Sequence, residues 1–335
     1  AGFEKGMNVT LNPYTNCGKC ASCRNGRVNA CEHNETLGVQ RNGVMCECAV
    51  LPWTKIIPAG NISPRDCALI EPMSVGFHAV SRAQVIDNEY VMVIGCGMIG
   101  IGAIVRAALR GATVIAVDLD DEKLELAKRV GASHVINSKT ENVHERMQQI
   151  TEGFGADVVI EAVGSPVTYV MAVDEVGFTG RVVCIGYAKS EVAFQTKYFV
   201  QKELDIRGSR NALPADFRAV INYMKEGNCP VEELISKIAK PEGALEAMQE
   251  WTANPGKVFR ILVDEKLELA KRVGASHVIN SKTEDKANHR YTIGHIIDML
   301  IGMHEISRQL WQAGIADNSH YQKCRTTLCL TPQSF

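Results

Sequence analysis

From Tyr90 onward the chain alternates between two textures. Tyr90–Ile94, Thr113–Val117, Val158–Ile160 and Arg181–Ile185 are short runs rich in β-branched and apolar residues. Between them, stretches at 98–110, 121–130, 142–152 and 166–176 carry apolar positions at helical spacing, and a further short strand is expected at His134–Ile136. Strands that are apolar throughout are buried on both faces, and strands alternating with helices at this spacing predict βαβ units and a parallel sheet. The first 60 residues differ. They are short apolar runs, such as Cys46–Leu51 and Lys55–Ile57, broken by Gly, Pro and Asn, and they read as strands and loops. A helix is expected from about Ser63 to Ala83, because Ser63-Pro64-Arg65-Asp66 sets a capping residue before a Pro at the first helical position. The pattern predicts an α/β chain with a β-rich lobe at 1–84 and a doubly wound domain at 85–210. A mixed segment at 211–263 and a tail at 264–335 follow.

The tail opens on a copy. Residues 264–284, DEKLELAKRVGASHVINSKTE, repeat residues 121–141 letter for letter. Repeats that stack into solenoids recur at short periods and diverge, so a single verbatim copy reads as an accident of origin. Two identical segments cannot fill one slot in a sheet, and the first copy has the shorter connection. The second is expected to form at most a loosely packed helix at 264–273. Ile296, Leu300, Met303 and Leu310 suggest another amphipathic helix at 292–312. Amide exchange much faster in 264–284 than in 121–141 is the expected outcome.

Charge and length narrow the function classes. The chain has 335 residues, with 36 Lys+Arg against 38 Asp+Glu and a net charge of −2. No broad basic face is available for nucleic acid or an anionic membrane. No uninterrupted apolar run reaches the roughly 18 residues of a spanning helix. The opening residues lack the layout of a signal peptide, so a cytoplasmic protein is expected. The length suggests about two domains.

Four of the twelve cysteines crowd into Cys17-x2-Cys20-x2-Cys23-x7-Cys31. Such crowding without a secretion signal points to a metal before disulfides, and zinc accepts four thiolates in a tetrahedron. Lys19, Arg24 and Arg27 would offset part of the negative charge of that centre. An iron–sulfur site or free thiols are the alternatives. A closed four-thiolate site has no open position, so it holds the loop and does no chemistry.

Gly95-Cys96-Gly97-Met98-Ile99-Gly100 follows a strand and opens a helix, the context a dinucleotide-binding turn requires. Gly95 permits the tight turn, Gly97 lets a diphosphate approach the backbone, and Gly100 lets helix and strand pack closely. The helix start, at Met98 and Ile99, would offer free N–H groups to the anion. Asp118 ends the next strand, where a carboxylate takes the ribose hydroxyls of NAD and repels the 2′-phosphate of NADP. The plain alternative is a Gly-rich turn beside a surface Asp.

Glu71 lies among Ala68, Leu69, Ile70, Met73 and Val75. By spacing alone a solvated carboxylate on an amphipathic helix is expected. Cys46 and Cys48 read as small packed residues, and His78 as a satisfied core histidine.

Together these residues resemble the zinc-dependent medium-chain dehydrogenase/reductase superfamily, in its sorbitol (polyol and sugar-acid) dehydrogenase branch. The likeness runs from about Phe3 to Val263. It includes Cys17–Cys31, Gly38–Pro52, Ile70-Glu71-Pro72 with Gly76-Phe77-His78-Ala79, and Gly95–Gly100 with Asp118. It continues through Glu161-Ala162-Val163-Gly164, Lys202-Glu203-Leu204 and Ile206-Arg207-Gly208-Ser209. The resemblance implies a Rossmann domain and a truncated β-rich, GroES-like catalytic lobe. In the family a zinc in the cleft polarises an alcohol substrate while NAD accepts the hydride. Glu71 matches the carboxylate near that metal, as a ligand or exchanging with water. Arg210 lies in a segment that approaches the nicotinamide end, where it could pair with a sugar-acid carboxylate or stand as a surface residue. The family's other catalytic ligands, a Cys and a His-Glu pair, lie in a segment of about 60–80 residues upstream of this opening, and no Gly-His-Glu occurs here. Five His after residue 264 are expected to be solvated, not substitute ligands. Turnover of a polyol or sugar acid is therefore expected only with those ligands restored. The competing reading is a non-catalytic, zinc-stabilised NAD-binding module, and a homodimer or homotetramer is expected.

Overall fold

The computed structural model describes residues 2–44, 46, 49–254 and 258–264. In the N-terminal lobe, β1 (Asn8–Leu11) pairs antiparallel with β2 (Ile56–Gly60). The cysteine loop between them contains one helical turn, α1 (Ala21–Arg24). The described residues of Cys46–Leu51 contribute no strand, and β2 starts at Ile56 because Trp53–Lys55 wind into a 3-10 turn. Cys48 lies outside the described residues.

The expected helix at 63–83 forms as α2 (Pro64–Cys67) and α3 (Ile70–Ala83). Asp66 N donates to Ser63 Oγ at 3.1 Å, the cap that the sequence supplies. α3 ends where Gln84 turns left-handed at φ 58°. Twelve of its fourteen residues are buried, so it is a core helix and not an amphipathic surface one.

The sheet follows from the alternating texture. β3 (Tyr90–Ile94), β4 (Thr113–Asp118), β5 (His134–Asn137), β6 (Ala156–Glu161), β7 (Val176–Cys184) and β8 (Asp205–Gly208) are all parallel, in the order β5-β4-β3-β6-β7-β8. The crossovers carry α4 (Met98–Ala108), α5 (Asp121–Arg129), α6 (Val143–Ile150) and α7 (Pro166–Glu175), with α8 (Lys197–Gln201) before the edge strand β8. This is the doubly wound order whose direction reverses between β3 and β6, and ligands bind at the carboxyl ends there. Strand side chains divide by parity. Val91 and Val93 enter one core with α3 and α4, while Met92 and Ile94 enter the other with Met147 and Ala172. β7 starts at Val176, five residues before the expected run, and β8 is an edge strand whose alternation of charged and apolar residues hid it.

Beyond the sheet lie α9 (Pro214–Lys225), α10 (Val231–Leu234), β9 (Lys237–Ala239), α11 (Ala244–Ala253) and β10 (Ile261–Val263). β9 and β10 pair in parallel. α3 packs between α4 and α9. Its contact with α4 is backbone to backbone: a Cβ on Gly76 would stand 2.2 Å from Ile99 O, and one on Gly102 would stand 2.6 Å from Met73 O. The expectations for 265–335 lie outside the described residues.

Candidate active site and metal loop

The sulfurs of Cys17, Cys20, Cys23 and Cys31 all lie within 4.8 Å of one another. Backbone N–H groups point at them: Cys20 N donates to Cys17 Sγ and Cys17 N to Cys31 Sγ, each at 3.3 Å. Backbone donors pull the Cys17 thiol down, and with Ser22 they pull Cys20 to about 5. Burial and the neighbouring thiols push Cys23 up to about 12. The loop is thus ready to hold some thiolates, and a divalent cation would draw off the remaining protons. Four sulfurs at this spacing fit a tetrahedral zinc. Among the described residues this is the one group of three or more potential ligands within such reach.

At the carboxyl end of β3 the Gly-rich turn is built as three distinct positions. Gly95 takes φ 94°, and a Cβ there would meet Val163 Cγ2 at 2.6 Å. A Cβ on Gly100 would lie 1.7 Å from Gly95 O, while one on Gly97 meets nothing within 4 Å. Gly97 caps α4 and provides no side-chain partner for the first N–H groups, so Met98 and Ile99 open a helix end free for an anion. Asp118 stands beside the turn. Its Oδ2 accepts Cys96 N at 2.7 Å, and its Oδ1 accepts Leu119 N at 2.7 Å and Asp120 N at 3.1 Å. The carboxylate therefore braces the turn and retains further acceptor capacity. The residues present fit a dinucleotide.

Glu71 departs from the spacing-based expectation of a solvated residue. It is 2% exposed, because α3 is enclosed by α4 and α9. The Tyr14 hydroxyl donates to its Oε1, and Oε2 is buried without a hydrogen-bond partner. Burial pushes the carboxyl up to about 7, against the pull of the Tyr14 hydroxyl and the positive charge of Arg260. Arg260 is itself buried, which lowers it to about 10. Among the described residues Glu71 belongs to no group of three potential ligands, and a lone carboxylate does not hold a catalytic zinc.

Residues 99–226 match the family described as zinc-binding dehydrogenase, and residues 1–61 match the alcohol dehydrogenase GroES-like domain. The L-galactonate-5-dehydrogenase of Escherichia coli K12 is 33% identical over 236 residues, covering 70% of this chain and 69% of that protein. The chain belongs to the zinc-dependent medium-chain alcohol dehydrogenase family. Within the family it falls in the polyol and sugar-acid branch. The sorbitol dehydrogenase of Halalkalibacterium halodurans is 31% identical, covering 70% of each chain. An alcohol dehydrogenase from Escherichia coli CFT073, solved with NADH, superposes with a TM-score of 0.71 at 26% identity and 77% coverage of both chains. These matches are to dehydrogenases, and they support an oxidoreductase over a non-catalytic module.

Within this family member the structure brings Gly95–Gly100 and Asp118 to one end of the sheet and gathers the four cysteines in one loop. Glu71 lies apart from the cysteines on α3, with Tyr14 and Arg260. Arg210 follows β8 with an exposed side chain, and its carbonyl accepts Asn29 Nδ2 at 2.7 Å. Arg260 and Asn29 were not singled out, and Glu161 was marked only through the family resemblance. Arg260 interrupts the apolar run Val258–Val263, and Glu161 ends the apolar strand β6; a charge among apolar residues is the signal that marks both. Glu161 is fully buried, and its Oε1 accepts Val163 N, Gly164 N and Thr168 Oγ1 at 2.7–2.9 Å, fixing the turn at the switch point. Asn29 carries no such signal.

Proposed function

We propose that this chain binds NAD across the carboxyl ends of β3, β4 and β6 and serves the oxidation of a secondary alcohol of the polyol or sugar-acid class. In this reading Gly95, Gly97, Met98, Ile99 and Gly100 cradle the diphosphate at the start of α4. Asp118 takes the adenosine ribose and Cys17, Cys20, Cys23 and Cys31 hold a structural zinc. Glu71 is the buried carboxylate facing the catalytic side, and Arg210 is the candidate partner of a substrate carboxylate. NAD, when bound, supplies the hydride acceptor. The chain's own residues bind the diphosphate at a free helix end, orient the ribose, and keep Glu71 away from bulk water. The observation that carries the reading is the juxtaposition of Asp118 with the open backbone at Gly97.

No helix among the described residues is long and apolar enough to cross a membrane. A cytoplasmic location belongs to the same proposal. The exposed edge strand β8, with Ile206 48% exposed, supports a homodimer or homotetramer, which light scattering would report. Calorimetry tests the cofactor assignment: NADH should bind at least tenfold more tightly than NADPH. Equal affinities would remove the role given to Asp118.

A further inference from the structure

Between Cys17 and Cys31 only Cys20, Asn29 and Cys31 are buried. The turn α1 buries no side chain, and the 3-10 turn Val28–Ala30 buries only Asn29. Such a loop has no apolar core of its own, so beyond its internal turn hydrogen bonds its order comes from its metal and from what Asn29 holds.

Asn29 holds three partners. Its Nδ2 donates to Arg210 O at 2.7 Å and lies 2.9 Å from His78 Nε2. Its backbone carbonyl accepts Asn211 Nδ2 at 2.8 Å. His78 Nδ1 lies 2.9 Å from Asp216 Oδ2, the oxygen that also accepts Leu213 N at 2.9 Å. Ser81 Oγ donates to the other oxygen of Asp216 at 3.4 Å. Hydrogen-bond polarity is consistent along this chain of groups. With Nδ1–H donating to the carboxylate, Nε2 is left as acceptor, and the Asn29 amide is its donor. The network clamps residues 210–216 at both ends. Asn211, beside Arg210, is buried and left-handed at φ 55°, a conformation that Asn tolerates and that its bond to Asn29 O holds in place.

We propose that Asn29 is a positioning residue through which the metal state of the four-cysteine loop sets the conformation of the Arg210 segment. The inference rests on the reading of that loop as a zinc site. The loop thereby reaches the substrate end of the cleft without touching substrate: it fixes the backbone from which the Arg210 side chain extends.

Hydrogen exchange on the full chain, with zinc content measured in parallel, tests this. Stripping zinc from the unaltered protein should speed exchange in peptides covering 205–213 about tenfold, the scale set by loss of a buried hydrogen bond. Peptides from 90–118 should not change. Zinc-loaded Asn29→Ala should show part of the same acceleration at 205–213, and stripping its zinc should add less there than it does to the unaltered protein, because the variant keeps only the backbone link from Asn29 O to Asn211 Nδ2. Asn29→Asp, which keeps the volume and loses both amide donors, should behave like Asn29→Ala and guards against a folding defect of the smaller side chain. Protein purified with no zinc overturns both the zinc reading and this inference. Zinc-loaded protein whose 205–213 segment keeps its protection after stripping, or whose two effects add in full, overturns the inference alone.

Discussion

At Asp118 both carboxylate oxygens already accept backbone N–H groups of the turn and of residues 119 and 120. Replacing Asp118 with Ser should therefore do two things: weaken NAD binding about tenfold and narrow the gap to NADP. Titration calorimetry with both nucleotides reads both effects, and an unchanged gap would assign selectivity elsewhere. Glu71 makes a pH prediction. Its folded pKa of about 7 lies above the 4.5 of an ordinary glutamate. The neutral form is therefore favoured by folding, and its contribution is full below about pH 4.5 and lost as pH rises through about 7. The full swing corresponds to about 3 kcal/mol. Glu71→Gln should flatten the stability profile over that window in denaturant melts. A profile as steep as that of the unaltered chain would trace the dependence to other groups. Glu71 also shows what spacing misses. Neighbouring apolar residues marked a helix face, but only the packing of α3 between α4 and α9 decides that the carboxylate is enclosed, and only the arrival of Tyr14 and Arg260 decides its partners.

The three glycines of the turn, identical in the sequence, separate at the level of the element. Gly97→Ala places its methyl in open space at an ordinary φ of −70°, so melting should be unchanged while NADH affinity falls at least tenfold. Gly100→Ala drives a methyl into Gly95 O and should lower stability as well as binding. Thermal melts alongside NADH fluorescence distinguish the two, and equal destabilisation by both would contradict the division of roles. Gly102→Ala tests the α3–α4 contact, where the clash is with Met73 backbone that cannot rotate away. A loss of about 3 kcal/mol is expected in chemical denaturation. The helices and central strands of the sheet region were legible because their apolar periods are unambiguous. β8 was not, since its four residues sit at an edge and bury almost nothing. Lys202 shows how tertiary structure gives an exposed-looking charge a place: its ammonium donates to the carbonyls of Val173, Asp174 and Val176 where α7 gives way to β7.

For the molecule as a whole, one zinc per chain is the stoichiometry that the described ligands support, and Cys20→Ser should abolish it and loosen the lobe. Elemental analysis of protein purified without chelator checks this, and iron in place of zinc would sink it. The sequence by itself determined the α/β class, the cysteine loop, the Gly-rich turn between strand and helix and the place of Asp118 at the end of the next strand, because each depends on residues close along the chain and on steric rules that neighbours cannot override. Tertiary structure alone decided which groups separated by more than a hundred residues meet: Glu71 with Arg260, His78 with Asp216, and Asn29 with Arg210. Those meetings depend on how α3, α9 and the cysteine loop stack. Stacking is a property of summed burial over the whole chain, to which no local spacing is sensitive.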